Sequence, residues 1–421
     1  MTLSRRGLVA GAGLAMGLSN VSAAAAKSTD FKDLQAAVRN AIQAGGVLRL
    51  PAGTFKTPGL RIDGPLRLEG VSGQTKILCP EGGPILVIDG AGDVTLAGLT
   101  FSGDLNPVPP DNKGSALVMA AHTPNLVIED CTFTHSTLVA LRLESSGGRI
   151  TNSTFRDTYE AIFALDSTGL SITGNTVEDI GNNGIQVWTS AKAADGTLVR
   201  GNRITGVRAG DGGTGENGNG VAVFRAGDVI VSENRIHDCT FSAIRNNSGD
   251  NCQIINNTVS KLGETALYCE FSFEGAVVSG NIVDGCGLGV SITNFNDGGR
   301  LAVCAGNVIR RSRSGGIHVE ADTVVTGNII DITDGYGISL GWGEPSRNLS
   351  ATNNVVRDCW RGITFTAVEG TGPVLITGNR ISGNKAEAIA GMEWTNVVSG
   401  DYGAPGAEAP PVGFIVNNLV S

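Results

Sequence analysis

Ile172-Thr173-Gly174-Asn175-Thr176-Val177 is one copy of a phrase that recurs from residue 172 onward, with the form apolar, any, Gly or Asn, Asn, any, apolar. Successive copies lie 21 to 39 residues apart, around a period of about 24. Weaker copies place Leu99, Cys131 and Ser153 at the position of the asparagine. The phrase therefore supplies a column of asparagines: Asn175, Asn202, Asn234, Asn257, Asn281, Asn307, Asn328, Asn354, Asn379 and Asn418.

A second run of alternating apolar residues follows each asparagine phrase, and a period of two is typical of β-strands. Helical repeats need longer stretches with a 3.6-residue period, and leucine-rich repeats need several leucines and a helix in each unit. Neither pattern is present, so the spacing predicts an all-β solenoid in which short parallel strands stack once per coil. We expect these pairs to face inward: Ile185 and Val187, Val221 and Val223, Leu267 and Cys269, Val290 and Ile292, Ile317 and Val319, Ile338 and Leu340.

The recurring asparagine has a structural explanation. A sharp bend between strands leaves backbone groups without partners, and a short amide side chain can satisfy them. Amides stacked along a solenoid also bond to one another. Because the position recurs in coil after coil, it indicates a buried ladder and not a catalytic site.

The first 26 residues read as an export signal. Ser4-Arg5-Arg6-Gly7-Leu8-Val9 precedes a Gly-, Ala- and Leu-rich stretch, and Ala23-Ala24-Ala25-Ala26 offers small-residue cleavage sites. The segment resembles a twin-arginine signal, which predicts cleavage after Ala26, a periplasmic or secreted bacterial protein, and the twin-arginine translocase as a partner during export. A single membrane anchor is the alternative. No later run of about 20 apolar residues predicts a stable membrane span.

Residues 27–46 are predicted to form a helix that covers the open end of the solenoid. Gly45-Gly46 ends this helix. The domain boundaries are therefore 1–26 for the signal peptide, 27–46 for the capping helix and 47–421 for the solenoid. The helical spacing is kept by Phe31, Leu34, Ala37, Val38 and Ile42.

The segment after the helix, Val47-Leu48-Arg49-Leu50-Pro51-Ala52-Gly53-Thr54-Phe55, resembles the start of pectin-lyase-like right-handed parallel β-helix proteins, and the likeness covers residues 30 to 421. Together with the export signal, the chain resembles the family of twin-arginine-translocated repetitive proteins. That resemblance implies a single-stranded right-handed parallel β-helix and a location in the cell envelope, but it implies no activity.

Composition and cysteine spacing exclude several functions. A net charge of -9 and a pI of about 5.1 disfavour nucleic acid as a partner. Cys239, Cys286 and Cys359 each follow a repeat asparagine at the same interval, which indicates buried structural thiols. No cysteine or histidine spacing suggests a metal site, and no motif suggests a cofactor.

Catalytic motifs of known pectin-lyase-like enzymes do not occur in this sequence. Polygalacturonases carry Asn-Thr-Asp, Gly-His-Gly and Arg-Ile-Lys, pectate lyases carry Trp-Ile-Asp-His, and alginate epimerases carry Asp-Pro-His-Asp. The chain also lacks a phosphate-binding loop, a Gly-x-Ser-x-Gly elbow and a His-Glu-x-x-His helix. The reaction, if there is one, is therefore not identified by motif.

Strand parity still predicts which side chains leave the second apolar run toward solvent. One patch combines groups suited to acidic saccharides, because arginine binds carboxylates, aromatic rings stack on sugars, and paired acids protonate leaving groups or activate water. Glu270 and Glu320 could form an inverting hydrolase pair, whereas Tyr268 or His318 could abstract a proton beside a carboxylate held by Arg245. The candidate catalytic residues are Arg245, Tyr268, Glu270, His318 and Glu320, and the candidate substrate-binding residues are Gln186, Trp188 and Asn247.

Two functions remain open from the sequence: a polysaccharide lyase, hydrolase or epimerase, or a non-catalytic glycan-binding or structural envelope solenoid. Segments 209–220 and 400–413 are glycine-rich and are predicted to be loops, the first of them beside the patch. Trp342, Trp360 and Trp394 could extend a sugar-binding face or fill the corners of coils.

Overall fold

The computed structural model describes residues 33–80, 82–104, 115–293, 298–407 and 413–421. The signal peptide predicted for residues 1–26 lies outside these ranges, as do residues 27–32 of the segment predicted to form the capping helix. Across the described ranges, no helix has the length and apolar character that a membrane crossing requires.

The helix Leu34–Gln43 precedes the first coil, and Asp33 caps its start, because the Ala36 amide donates to Asp33 Oδ1 at 2.9 Å. Its buried side chains include Leu34 and Val38, and the helix contacts the strands of the first coil. The helix ends at Gln43, and the chain then turns through Gly45 and Gly46, both with positive φ.

Each coil of the solenoid contributes strands to three faces. The first face precedes the asparagine turn and is a 15-stranded parallel sheet. Its strands are Val47–Arg49, Leu66–Glu69, Asp93–Ala97, Asn125–Glu129, Gly148–Thr151, Ser171–Thr173, Leu198–Arg200, Ile230–Ser232, Cys252–Ile255, Glu274–Ser279, Arg300–Ala305, Thr323–Thr326, Leu349–Thr352, Val374–Thr377 and Gly413–Val416.

The second face begins after the asparagine turn, and the third face follows a further bend. Strands of the second face alone are Gly53–Lys56, Thr75–Leu78, Thr100–Ser102, Thr176–Ile180, Arg203–Val207, Arg235–Cys239, Thr258–Leu262, Arg380–Ser382 and Leu419–Val420. Strands of the third face alone are Leu60–Ile62, Leu86–Asp89, Ala116–Ala121, Ile185–Ala194, Val221–Gly227, Ile244–Asn247, Thr265–Glu270 and Ile389–Glu393, the last of which pairs antiparallel with Asn396–Val397. Strands that run across both faces are Thr132–Glu144, Thr154–Leu165, Ile282–Ile292, Val308–Val319, Ile329–Leu340 and Val355–Thr366.

The asparagines form a continuous buried ladder, which confirms their predicted structural role. At Asn257, Oδ1 accepts hydrogen bonds from both the amide and Nδ2 of Asn234 at 3.0 Å. Asn257 Nδ2 donates to the Val231 carbonyl at 2.9 Å and to Asn281 Oδ1 at 3.1 Å. Each amide therefore joins two neighbouring coils and satisfies backbone groups at the bend. Side-chain bonds of this kind run from Asn175 to Asn418.

One apolar core fills the space between the three faces. All the apolar pairs that we expected to face inward are buried. Three phenylalanines on successive coils stack inside it, with ring centroids 5.2 Å apart between Phe101 and Phe133 and 4.7 Å apart between Phe133 and Phe155. Each coil buries its apolar side chains against its neighbours, so the coils share one continuous core.

The cysteines belong to the same core. All eight are free thiols and all are buried, which agrees with the structural role predicted from their spacing. Burial raises the pKa of Cys131 and that of Cys239 to about 12. Both thiols therefore stay protonated and unreactive at neutral pH.

The glycine-rich segment 209–220 is a loop between the strands Arg203–Val207 and Val221–Gly227, as predicted. Asn219 anchors it, because Asn219 Nδ2 donates to the Gly215 carbonyl at 2.8 Å and Asn219 Oδ1 accepts from the Ser242 amide at 3.1 Å. Of the second predicted loop, 400–413, residues 408–412 lie outside the described residues, and the strand Gly413–Val416 begins at its end.

Candidate functional site

The third face carries two outward columns of side chains, in the register that the sequence predicts. Neighbours in a column are partners on adjacent parallel coils, about 4.8 Å apart. The first column contains Gln186, Ala222, Arg245, Tyr268, Ser291, His318 and Ser339, and the second contains Trp188, Phe224, Asn247 and Glu270, followed by Thr293 and Glu320.

An ion pair between Arg245 and Glu270 lies at the middle of this face. Arg245 Nε donates to Glu270 Oε1 at 2.6 Å, and Asn247 Nδ2 donates to the same oxygen at 3.1 Å. The Tyr268 ring lies against the guanidinium, with Arg245 Cζ 5.2 Å from the ring centroid. The side chain of Glu270 is 2% exposed and that of Arg245 is 14% exposed. The structure thus brings together Arg245, Asn247, Tyr268 and Glu270.

One sequence-based expectation about these residues is wrong. We expected the outward side chains to lie in solvent, but Gln186, Glu270 and Glu320 are buried. The binding of a substrate carboxylate by Arg245 stays a prediction, and the structure shows its Nε bound to Glu270. Because the coils stack closely, outward side chains on adjacent coils shield one another from solvent. The loop 209–220 adds to this shielding, since Gly215 lies directly against the Arg245 guanidinium.

Glu264 lies on the other side of the arginine, with its Oε2 3.9 Å from Arg245 Nη1. Neither atom has a hydrogen-bond partner in the part of the chain that the structure describes, although both are buried. Burial raises the pKa of the Glu264 carboxyl. It also raises the pKa of Tyr268 to about 12, with a smaller contribution from the Glu270 charge. A phenol with that pKa is almost entirely protonated at neutral pH, which disfavours Tyr268 as a general base.

His318 and Glu320 form a second group on the same face. His318 Nε2 lies 3.2 Å from Glu320 Oε1, and the two side chains are 12% and 10% exposed. The Tyr336 ring lies beside them, its centroid 6.2 Å from that of His318. Burial raises the pKa of Tyr336 to about 12, and the Glu320 charge contributes to the rise. Tyr336 reaches this position by packing over Gly315, which leaves room for its ring.

The predicted catalytic residues form two hydrogen-bonded groups within the outward columns. The coil that carries Ser291 and Thr293 separates Glu270 from Glu320, so their backbones are about 10 Å apart. Each carboxylate is bound within its own group, Glu270 by Arg245 and Glu320 by His318.

The predicted substrate-binding residues Gln186 and Trp188 lie two coils from Arg245, toward the N-terminus. Trp188 packs between Phe163 and Phe224, with centroid distances of 5.3 and 5.2 Å. Gln186 is covered, and its Oε1 accepts from Asn183 Nδ2 at 3.4 Å. This part of the face is a half-buried aromatic surface, separate from the Arg245 ion pair.

An open pocket of about 210 Å³ lies at the C-terminal end of the third face. Trp342, Trp360 and Trp394 line it and are 44%, 45% and 50% exposed. The rings of Trp342 and Trp394 meet edge to face, with centroids 5.7 Å apart. This exposure favours the first alternative from the sequence, a ligand-binding face, over filling of the coil corners. We call this site the indole pocket and define it by Tyr336, Trp342, Trp360, Trp394, Thr364 and Met392.

The indole pocket combines aromatic walls with a hydroxyl-bearing floor. Ser339 and Thr364 continue the first outward column beyond His318, and both line the pocket. Arg361 also lines it, but its Nε donates to Glu387 Oε2 at 2.7 Å. Tyr336 borders both the pocket and the His318 group. The sequence singled out these tryptophans but gave no means of placing them together, because they come from different positions in their coils.

The charge on the third face is largely neutralised by local pairing. Within the described ranges, no cluster of three or more His, Cys, Asp or Glu side chains could hold a metal ion. Four basic side chains of this face pair with carboxylates: Arg142 with Glu144, Lys192 with Asp250, Arg245 with Glu270, and Arg361 with Glu387. Arg225 instead donates to the Ser190 carbonyl.

Comparison with known proteins agrees with this architecture. Residues 82–204, 192–304 and 298–401 each match the family model described as a right-handed beta helix region. A search of curated proteins gives no match.

Solved structures with the same fold share little sequence with this chain. The A-module of the mannuronan C-5 epimerase AlgE6 from Azotobacter vinelandii is 19% identical, with a TM-score of 0.51 over 71% of this chain and 94% of that one. DFA-IIIase from Arthrobacter chlorophenolicus A6, without its lid, is 13% identical, with a TM-score of 0.48 over 82% and 92%. PfbA, a surface adhesin of Streptococcus pneumoniae, is 14% identical, with a TM-score of 0.47 over 86% and 89%.

Proposed function

The chain belongs to the family of proteins with a right-handed beta helix region, and we propose that it binds a polysaccharide along the third face of the helix, with the indole pocket as the principal subsite. The observation that carries this proposal is the exposure of Trp342, Trp360 and Trp394 around one open pocket. Large aromatic side chains at the surface cost free energy unless a partner covers them, and indole rings stack well on the apolar faces of sugar rings.

The composition of the pocket favours a saccharide over a purely apolar ligand. The hydroxyls of Ser339 and Thr364 lie beneath the aromatic walls and can exchange hydrogen bonds with sugar hydroxyls. The parallel columns continue this surface toward His318, so a chain of sugars could lie along several coils. A polysaccharide fits such an extended face better than a compact small molecule does.

Charge on the third face favours an uncharged saccharide. Arg245 and Arg361 are the basic side chains nearest to the sites described, and each is bound to a glutamate. Among the described residues, a uronate would meet arginines whose charge is already balanced by Glu270 and Glu387, and it would face the carboxylates of Glu264 and Glu320. We therefore expect neutral glycans to bind this face more tightly than uronate polymers.

The same geometry favours binding over lyase chemistry. β-Elimination needs an arginine that neutralises the substrate carboxylate and a deprotonated base beside it. Arg245 is bound to Glu270, and the pKa of Tyr268 is raised to about 12. Among the related folds, the AlgE6 module is by name an epimerase, and PfbA is by name a surface adhesin. The proposal for this chain rests on its own side chains.

The proposal includes export. The twin-arginine segment Ser4–Val9 and the small residues before Ala26 support delivery by the twin-arginine translocase to the periplasm or beyond, where the polysaccharide partner would be a cell-envelope or extracellular glycan. Fusing residues 1–30 to a reporter that is active only after export tests this step. Retention of the reporter in the cytoplasm after Arg5→Lys and Arg6→Lys is expected.

Isothermal titration of residues 27–421 against a panel of neutral and uronate polysaccharides tests the binding. We expect a neutral polymer to bind, and the double variant Trp342→Ala, Trp394→Ala to weaken that binding about tenfold or more. Phe414→Ala is the matched control, because Phe414 is 70% exposed but lies on the first face. Absence of binding to every polymer would refute the proposal. New reducing ends or unsaturated products would instead assign an enzymatic activity.

A further inference from the structure

A second cleft, of about 450 Å³, lies on the second face of the helix. Thr205, His237 and Ser260 line one side of it, in one outward column. Arg203 and Arg235 line the other side, in the neighbouring column. This cleft shares no residue with the indole pocket or with the Arg245 and His318 groups.

Arg203 and Arg235 are direct partners on adjacent coils, so their backbones are about 4.8 Å apart. Both side chains are exposed. Like charges placed opposite each other on neighbouring strands are destabilising unless a counter-charge offsets them. In the ranges that the structure describes, neither guanidinium makes a hydrogen bond or lies within 4.0 Å of a carboxylate oxygen.

Other arginines close to this pair in sequence are neutralised. Arg200 pairs with Glu233 at 2.9 Å, and Arg208 pairs with Asp238 at 2.7 Å. Glu178 also lines the cleft, yet it forms no such pair with Arg203 or Arg235. Two adjacent cations without a counter-ion, in a protein whose net charge is -9, mark a place for an external anion.

We propose that Arg203 and Arg235 bind the carboxylate of an acidic sugar residue, which is a site separate from the third face and independent of the function proposed for it. Guanidinium groups match the planar geometry of a carboxylate and can each donate two hydrogen bonds to it. The hydroxyls of Thr205 and Ser260 can bond to the ring hydroxyls, and Ser260 is already oriented by His237, whose Nδ1 lies 2.9 Å from its Oγ. The Glu178 carboxylate favours a ligand with a single charge at this point over a dense polyanion such as nucleic acid.

Titration calorimetry with α-1,4-linked trigalacturonate and galactotriose tests the proposal, because the two trisaccharides share ring stereochemistry and differ in their carboxylates. We expect trigalacturonate to bind residues 27–421 at least about tenfold more tightly than galactotriose, and raised salt to weaken the binding. Arg203→Gln and Arg235→Gln should each weaken it about tenfold. Arg380→Gln is the matched control, since Arg380 is exposed in the same column but has Val355 and Leu419 as its neighbours.

Two further measurements distinguish this site from the indole pocket and from a site for any small anion. Trp342→Ala with Trp394→Ala should leave trigalacturonate binding unchanged, so failure of the third-face proposal would not affect it. Inorganic sulfate should bind more weakly than trigalacturonate, and equal affinity would overturn the assignment to a sugar. Equal binding of both trisaccharides, no binding of either, or full affinity in the Arg203→Gln and Arg235→Gln variants would also overturn it.

Discussion

Arg245 and Glu270 lie on adjacent coils of the third face, and Arg245 Nε donates to Glu270 Oε1 at 2.6 Å while both side chains are largely shielded from water. The outer face of the β-helix therefore contains an ion pair that is largely shielded from solvent although it lies outside the apolar core. Removing one partner of such a pair is strongly destabilising, because the other charge stays buried without its hydrogen-bonded counter-ion.

Glu270→Gln should lower the free energy of unfolding by about 3 kcal/mol, because the buried Arg245 charge keeps only the more distant Glu264 carboxylate, 3.9 Å away, as a counter-charge. Denaturant unfolding followed by circular dichroism measures the change. The control is Glu274→Gln, which removes an exposed partner of Arg300 and should cost less than about 1 kcal/mol. Equal losses in the two variants would mean that the Arg245 pair is no more shielded than a surface pair.

Asn257→Ala should lower the free energy of unfolding by about 1 to 3 kcal/mol, because it leaves the Val231 carbonyl and the Asn234 amide without buried partners. Asn125→Ala is the control. The exposed Asn125 side chain donates to Asp93 Oδ1 at 2.7 Å, so its loss should be within about 0.5 kcal/mol. An undiminished unfolding free energy in Asn257→Ala would contradict the structural role of the ladder.

The asparagine ladder and the strand parity could be predicted from sequence because both follow from a repeat. Spacing alone places Asn257 against Asn281, and alternation alone places Tyr268 beside Arg245 in one outward column. Both properties depend only on the course of the backbone, and the spacing of the repeat determines that course.

The details of the site could not be predicted in this way. The bond from Arg245 to Glu270 depends on side-chain conformation, and its cover depends on the position of Gly215 in a loop that interrupts the period. The indole pocket could not be predicted either, because Trp360 and Trp394 occupy different positions in their coils and line one pocket only in the folded structure.

Glu160 should make the stability of the fold depend on pH. Burial raises its folded-state pKa above the ordinary value of 4.5, although Asn182 Nδ2 donates to its Oε1 at 2.9 Å. A raised pKa means that the folded state binds the proton more tightly than the unfolded state. The stabilising contribution is therefore complete below the unfolded-state pKa and is lost as the pH rises through the folded-state pKa.

Glu160→Gln should remove this dependence and increase the melting temperature at pH 7, because the neutral amide can still accept the bond from Asn182. Melting temperatures measured between pH 4 and pH 8 for the parent and the variant provide the check. Glu344→Gln, at an exposed position, should leave the parent profile unchanged. A parent profile that is already flat above the ordinary glutamate pKa would contradict the prediction.

The central claim, that the indole pocket binds a saccharide, is tested most directly by tryptophan fluorescence, because three of the four tryptophans line the pocket and the fourth is Trp188. A neutral oligosaccharide taken from whichever polymer binds best should shift the emission of the parent protein, and the shift should persist in Trp188→Phe. The triple variant Trp342→Phe, Trp360→Phe, Trp394→Phe retains only Trp188 and should show no shift. A shift that is lost in Trp188→Phe and retained in the triple variant would contradict the claim and move the binding site to the surface around Phe163 and Phe224.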